Sequence, residues 1–229
     1  KEIFNGATAI LPICKYLEKM TNEFVPNQPT DVVSEGIDAS NWYHVEGLKL
    51  KHPCVGLLQQ PNKWDKTSEM LVLDRVIEKM PDVHFYWAGN GPLLERILPT
   101  LNKHDNFHWL GRLQYPDKVR EYLSEIDVYA LVTGVDMSPL SLKEAQLMKK
   151  PVVATNVGGI PELMVDKKTG YLVEKGNAEE LIQKLSLLIN DEQKRKTMGI
   201  EGRKFVEDNF SWDNIARQFL EILKKHNIT

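Results

Sequence analysis

Val128-Tyr-Ala-Leu-Val132 is followed by Asp136-Met-Ser-Pro-Leu-Ser-Leu-Lys-Glu144 and then by Gly158-Gly-Ile-Pro-Glu162. The first run is short, apolar and rich in residues that favour strands, which is typical of a buried parallel strand. Ser138 followed by Pro139 predicts a helix start, because serine caps orphan N–H groups and proline fits the first turn. Asp136 therefore falls in the loop at the carboxyl end of a strand, where open α/β sheets bind ligands.

The same alternation of strand and helix patterns continues along the chain from Pro53 onward. It predicts an α/β fold, a Rossmann-like doubly wound parallel sheet with right-handed crossovers and C-terminal helices. The predicted strands are 54–58, 83–88, 107–110, 128–132, 152–155 and 170–173, after two earlier strands at 7–14 and 31–38. The predicted helices are 15–20, 68–80, 116–126, one from about 139, 178–189, 193–209 and 212–226.

Glu144 is the less usual of the two acids in the opening motif. On a helix that starts near Pro139 it shares the apolar stripe of Leu140, Leu147 and Met148. A buried carboxylate without a partner costs several kcal/mol, so this side chain needs one. Two neighbouring hydroxyls, as on a ribose, suit a group that only accepts hydrogen bonds. A nearby lysine or backbone N–H is an equally good candidate.

The composition narrows the class of protein. A chain of 229 residues with 42% hydrophobic content is long enough to bury a large core. The net charge of −3 gives no basis for nucleic-acid binding. Cys14 and Cys54 are too few for a disulfide scaffold and suggest no zinc site. Without a transmembrane or signal pattern, we expect a soluble cytoplasmic protein, at most peripheral to the inner membrane face.

The motif Asp136–Glu144, with Pro151-Val-Val-Ala-Thr and Gly158-Gly-Ile-Pro-Glu162, resembles the donor-site signature of retaining GT-B glycosyltransferases of family 4. The resemblance implies that Asp136 touches a sugar hydroxyl and that Glu144 binds the nucleotide ribose. Two departures stand out. The family usually has glutamate at the first acid, and it has Phe-Gly where Ser138-Pro139 stand here, although proline offers no N–H.

A cation for the donor diphosphate is also implied. Lys66 matches the family's diphosphate lysine, so the resemblance gives the catalytic roles to Asp136 and Lys66. The family arginine that follows the strand glycine is absent, because Leu57 follows Gly56. Lys63, Lys66 or Arg112 could supply the charge instead, and restoring the arginine by Leu57→Arg is expected to tighten diphosphate binding.

Further donor contacts follow from the same resemblance. The Gly89-Asn-Gly91-Pro turn would lie beside the nucleotide, although the glycines alone favour a plain tight turn. The backbone around Gly111-Arg112-Leu113 would read the nucleobase edge, which leaves uracil, guanine and adenine open. No metal and no cofactor other than the substrate is expected. The predicted donor contacts are Gly56, Lys66, Gly89, Gly91, Arg112, Leu113, Asp136, Ser138, Leu140, Ser141 and Glu144.

Three segments are expected from the resemblance. Residues 1–38 would close an N-terminal acceptor-binding domain and form the hinge, 39–210 would form the donor-nucleotide domain, and 211–229 would be a helix packing back toward the N-terminal half. The rest of the acceptor half would then be supplied in cis or in trans, and the isolated chain would be incomplete or inactive. An exposed stripe of Ile215, Phe219 and Ile222 would favour self-association.

The implied reaction is hexosyltransferase-type transfer of a sugar from a nucleoside diphosphate sugar to an acceptor hydroxyl, with retention. The acceptor, whether glycan, lipid or small molecule, is not indicated. One alternative is a non-catalytic nucleotide-sugar-binding subunit or a decayed donor domain, which Leu57 and the missing acceptor half favour. Another is a nucleotide-sugar epimerase of GT-B fold, which the spacing of Asp136, Glu144 and the glycine turn disfavours.

Overall fold

Six parallel strands form one sheet in the computed structural model, which describes the backbone of residues 2–228 and the side chains of residues 4–228. The sheet order is β3-β2-β1-β4-β5-β6. Chain order reverses between β1 and β4, and in open α/β sheets the crevice at such a point binds ligands. The strands are β1 Cys54–Leu58, β2 His84–Ala88, β3 Phe107–Gly111, β4 Val128–Leu131, β5 Val152–Thr155 and β6 Gly170–Val173.

Helices cover both faces of this sheet. Short 3₁₀ turns occur at Ala39–Asn41, Ser68–Val72 and Ile160–Glu162. None of the helices within residues 2–228 combines the length and the apolar character needed to cross a bilayer. The α-helices are α1 Glu2–Asn5, α2 Lys15–Phe24, α3 Trp64–Thr67, α4 Leu73–Lys79, α5 Leu94–Leu101, α6 Asp117–Glu125, α7 Leu140–Leu147, α8 Ala178–Ile189, α9 Glu192–Phe210 and α10 Trp212–Lys225.

Two apolar cores lie on the two sides of the sheet. Along β4, Val128 and Ala130 belong to the core that includes α4 and α8, while Tyr129 and Leu131 belong to the core that includes α6, α7 and α9. This division follows from the alternation of side chains along a strand. Burial on both faces explains why the central strands β1, β4 and β5 are continuous apolar runs. Each fully buried large aliphatic side chain contributes about 1.5–3 kcal/mol.

The six predicted sheet strands are confirmed, but the two earlier ones are wrong in extent. Residues 7–14 and 31–38 form isolated bridges and no regular strand: Ile10 pairs with Thr30, just before the second segment, and Ile37 pairs with Ser211. Backbone hydrogen bonds from Asp31 N–H to Ile10 O and from Val33 N–H to Pro12 O continue the contact. Pro12 and Pro29 have no N–H to give, and two short segments without a third strand form only a marginal ladder.

Two helix predictions also needed correction. The predicted helix at 68–80 begins with a 3₁₀ turn, and its α-helical part is α4. Ser138 is not the cap of α7, because Pro139 occupies that position and no side chain caps the helix there. Ser138 instead lies near the ammonium of Lys143, with its Oγ 3.3 Å from Nζ.

The C-terminal helix packs on the N-terminal segment. Asp31 accepts hydrogen bonds from Lys225 Nζ and pairs with His226 Nε2, each at 2.6 Å. The expected exposed stripe on α10 is therefore only partly present. Ile215 and Ile222 are buried, and Phe219 keeps 38% of its surface exposed.

Candidate functional site

A cavity of about 1060 Å³ opens at the carboxyl ends of β1, β2 and β4, where Leu58, Ala88 and Leu131 line it. This volume lies at the upper end of the range for small-molecule sites and suits a ligand of nucleotide-sugar size. Nine of the eleven residues predicted as donor contacts line this one cavity. They are Lys66, Gly89, Arg112, Leu113, Asp136, Ser138, Leu140, Ser141 and Glu144.

The other two predicted contacts, Gly56 and Gly91, do not line the cavity. A Cβ on Gly56 would lie 2.6 Å from Ile126 and 2.7 Å from the Tyr122 hydroxyl, so this glycine lets α6 pack on β1. A Cβ on Gly91 would lie 2.6 Å from the Asn62 side-chain oxygen. Both glycines therefore have a packing role in this structure.

Asp136 and Lys66 form an ion pair inside the cavity. Lys66 Nζ donates to Asp136 Oδ2, and Asp136 Oδ1 accepts the backbone N–H of Met137 at 2.9 Å. Lys66 lies on α3, and Asp136 lies in the loop between β4 and α7. The carboxylate is thus held by two donors and has a fixed orientation. An anion that enters the cavity would meet the ammonium beside it.

Glu144 faces the cavity from α7 and is only 4% exposed, as its place on the apolar stripe predicts. Burial raises the pKa of Glu144 to about 7, while a hydrogen bond with Tyr115 and the charge of Lys143 act in the opposite direction. The side chain of Tyr115 also lines the cavity and is largely exposed. The partner of Glu144 is therefore a hydroxyl that can turn outward into solvent.

Lys143 is the neighbour of Glu144 on α7, and its side chain is completely buried. Its ammonium donates to the backbone oxygen of Glu35 at 2.8 Å. Burial lowers the pKa of Lys143 to about 8. Helix α7 thus holds the segment before β1 on one side and presents a carboxylate to the cavity on the other.

Leu57 stands where the family usually has an arginine, so other residues supply the positive charge at the cavity. Leu57 is fully buried in the core with Met70 and Leu73 and does not line the cavity. Lys63 and Arg112 line it together with Lys66. The structure therefore brings these three cations to one cavity.

Several cavity residues had no signal in the sequence patterns. Tyr16, Met20 and Glu35 reach the cavity from the segment before β1, and Tyr115 reaches it from the loop after β3. Gln59 donates its amide to Val132 O at 3.0 Å, and its side-chain oxygen has no partner among the described residues. They lie on α2 or in loops far along the chain from the predicted motif, so only the folded structure brings them to the cavity.

His52, Cys54 and Asp127 form the one group of three possible metal ligands found within residues 2–228. The group lies at the amino ends of β1 and β4, the opposite edge of the sheet from the cavity. His52 Nδ1 is 2.8 Å from Asp127 Oδ2, and its Nε2 is 2.9 Å from Glu125 Oε1. Burial raises the pKa of the Cys54 thiol to about 12. These groups hold one another and take no part in the cavity.

The sequence model of the glycosyl transferases group 1 family matches residues 54–191, more than half of the chain. The chain belongs to this family. A GDP-mannose-dependent phosphatidylinositol monomannoside mannosyltransferase of Corynebacterium glutamicum is 32% identical over 167 residues, covering 69% of this chain and 43% of that protein. The residues matched by the family model include the two-glycine turn, Asp136 and Glu144.

Solved structures show the same fold, that of the GT-B glycosyltransferases. Sucrose-phosphate synthase from Thermosynechococcus elongatus superposes with a TM-score of 0.85 at 20% identity, covering 98% of this chain and 59% of that one. The Anabaena protein HepE in complex with UDP and glucose superposes with a TM-score of 0.77 at 19% identity, covering 96% and 64%. The chain spans 41%, 56% and 43% of the length of three curated relatives that it matches, which is about half.

Proposed function

We propose that the cavity binds a nucleoside diphosphate sugar and that the chain supplies the donor-binding half of a retaining glycosyltransferase of hexosyltransferase type. The observation that carries this proposal is the placement of Asp136 and Glu144 in one cavity, with Lys66 paired to the first acid. Two carboxylates and a cation so arranged suit a ligand that carries hydroxyl groups at both ends and a diphosphate between them.

Each side chain has a role in this proposal. Glu144 accepts hydrogen bonds from the ribose hydroxyls, which replace the hydroxyl of Tyr115. Asp136 orients the sugar by accepting from one of its hydroxyls. Lys66 stabilises the negative charge that grows on the departing diphosphate, and the N-terminus of α7 at Leu140 adds its dipole. The chain would act with an acceptor-binding half, in cis or in trans.

The relatives support the binding of a nucleotide sugar, but they do not indicate which base or sugar it carries. The Corynebacterium relative is named as GDP-mannose-dependent, and the HepE structure contains UDP and glucose. In this chain the loop after β3 supplies Arg112 and Leu113 to the cavity, and backbone groups there would meet the base. Experiments should therefore use both UDP and GDP.

Titration calorimetry with UDP and GDP tests the ribose assignment. We expect Glu144→Ala to weaken binding by roughly 1.5–3 kcal/mol, the range for hydrogen bonds to charged groups. Glu192→Ala is the matched control, because Glu192 is an exposed acid at the start of α9, away from the cavity. Equal affinity of Glu144→Ala and wild type would show that this carboxylate does not hold the ribose.

We also propose that nucleotide binding needs no divalent metal. Lys63, Lys66 and Arg112 surround the cavity and supply the cations that a diphosphate requires. Asp136 and Glu144 already have protein partners, Lys66 and Tyr115. The affinity for UDP or GDP should be the same in EDTA and in Mg²⁺ or Mn²⁺. Binding that disappears in EDTA and returns with the metal would contradict this proposal.

A further inference from the structure

Helix α2 supplies a wall of the donor cavity from outside the family-matched region. Tyr16 and Met20 both line the cavity, and α2 ends long before residue 54, where the family match begins. They stand four residues apart and therefore on one face of the helix. Their side chains are 41% and 48% exposed. An aromatic ring and a flexible thioether thus face open space inside a polar site.

The position of α2 is fixed by a residue of the glycine-turn motif. Glu162 accepts the backbone N–H groups of Lys15 at 2.9 Å and Tyr16 at 3.1 Å. The cap residue of α2, Cys14, makes no side-chain cap hydrogen bond. A carboxylate at a helix N-terminus is stabilised by charge-assisted hydrogen bonds and by the helix dipole. Glu162 therefore caps α2, although it lies 147 and 146 residues after the two residues whose N–H groups it accepts.

Gly159 allows the start of α2 to lie close to the two-glycine turn. A Cβ on Gly159 would lie 2.9 Å from the sulfur of Cys14 and 2.0 Å from the backbone oxygen of Met137. Any side chain at Gly159 would separate the start of α2 from the turn. The two-glycine turn is thus pressed between α2 on one side and the loop that carries Asp136 on the other.

The same turn holds Asp136. Gly159 N–H donates to Asp136 O at 2.9 Å, and a Cβ on Gly158 would lie 2.1 Å from that oxygen. A continuous set of backbone contacts therefore joins Asp136, the turn, Glu162 and the first turn of α2. These contacts tie the first turn of α2, which carries Tyr16, to the loop of Asp136, the acid that meets the sugar under the proposed function.

We infer that Tyr16 and Met20 determine which sugar the cavity accepts, and that Glu162 is a positioning residue that holds them there. The tyrosine ring offers a flat apolar surface to the carbon-bound hydrogens of a sugar, and its hydroxyl offers a hydrogen bond. Met20 fills the space beside it and adapts to the shape of the ring. This inference rests on the proposed function, because it assigns the sugar group of the same nucleotide-sugar ligand.

Calorimetry with UDP, UDP-glucose, GDP and GDP-mannose tests the inference, because it separates the sugar contact from the nucleotide contact. The measured quantity is the ratio of the dissociation constant of the nucleotide sugar to that of its nucleoside diphosphate. We expect Tyr16→Ala to raise this ratio by about five- to tenfold and to leave nucleoside diphosphate affinity unchanged. Glu162→Gln should raise the ratio in the same direction, because a neutral amide caps α2 more weakly. Tyr43→Ala and Glu192→Gln are the matched controls, since both side chains are exposed and lie outside the cavity.

The outcomes separate the inference from the proposed function. If wild type binds UDP or GDP but the ratio stays constant in both variants, the inference is wrong and the proposed function stands. If Tyr16→Ala weakens the nucleotide and the nucleotide sugar equally, α2 has no sugar selectivity and the inference is again wrong. If wild type binds neither nucleotide, the proposed function fails and the inference fails with it. Thermal unfolding of each variant establishes that it is folded, and Tyr16→Leu replaces Tyr16→Ala if the latter is not.

Discussion

Burial raises the pKa of Glu144 to about 7, so its charge changes within the physiological pH range. Its proposed role needs the carboxylate form, because a protonated acid loses acceptor capacity. Nucleotide affinity should therefore increase as pH rises through about 7 and level off above it. Calorimetry from about pH 5.5 to about pH 8.5 measures this dependence. In Glu144→Gln the affinity should be weaker and nearly constant over that range, and an unchanged pH profile would contradict the assignment.

At this scale the sequence predicted which side chains line the cavity better than it predicted how they contact one another. The inward position of Glu144 followed from helical periodicity, which is a local property. The pairing of Lys66 with Asp136 spans 70 residues and depends on how two loops converge, and no local pattern encodes that distance. The hydrogen bond between Glu144 and Tyr115 was missed for the same reason.

The turn at Gly158 is the element on which the geometry of Asp136 depends. Its φ is +57°, and a Cβ there would lie 2.1 Å from Asp136 O. Gly158→Ala should therefore lower the free energy of unfolding by about 2–4 kcal/mol and weaken nucleotide binding, because Asp136 must move. Gly176→Ala is the matched control. Gly176 has φ +77°, but a Cβ there would meet open space. Its substitution should therefore lower the free energy of unfolding by only the backbone cost of about 1–2 kcal/mol. Nucleotide binding should be unchanged.

Strand β1 gives a second prediction, which reverses the expectation from the sequence. Leu57 lies in the core, so Leu57→Arg would place a guanidinium among apolar side chains and not beside a diphosphate. We expect a loss of several kcal/mol in the free energy of unfolding and no tighter nucleotide binding. Leu57→Met, which conserves volume, should cost less than about 1.5 kcal/mol. Denaturant unfolding and calorimetry measure both effects, and tighter binding by a stable Leu57→Arg would contradict the burial argument.

The strands that were predicted well share one physical property. Apart from the edge strand β3, which is largely half-buried or exposed, they are buried on both faces by helices, and this produces continuous apolar runs such as 128–132. The segments at 7–14 and 31–38 have similar local composition, but they lack neighbouring strands and contain or adjoin prolines. Whether a segment forms a regular strand therefore depends on pairing partners that lie far away in the sequence.

In the whole molecule, the N-terminal segment is tied to two distant parts of the chain. Lys143 and Glu162 hold it against the cavity, while Asp31 holds it against the C-terminal end of α10. These contacts explain how residues before β1 reach the cavity. They could not be predicted from the sequence, because each contact joins residues more than 100 positions apart along the chain.

The last prediction concerns the activity of the 229-residue chain. Sugar transfer needs donor and acceptor in near-attack geometry, and that orientation can contribute roughly 7–11 kcal/mol to lowering the barrier. The described residues form a cavity of which α2 supplies one wall, and the chain spans 41%, 56% and 43% of three of its curated relatives. We therefore expect the chain alone to bind UDP or GDP without appreciable transfer to an added acceptor. Adding an acceptor-binding half from a relative, fused or as a separate chain, should produce turnover in wild type but far less in Asp136→Ala. Sugar transfer by the purified chain alone, at a rate equal to that of the combined protein, would show that no second half is needed.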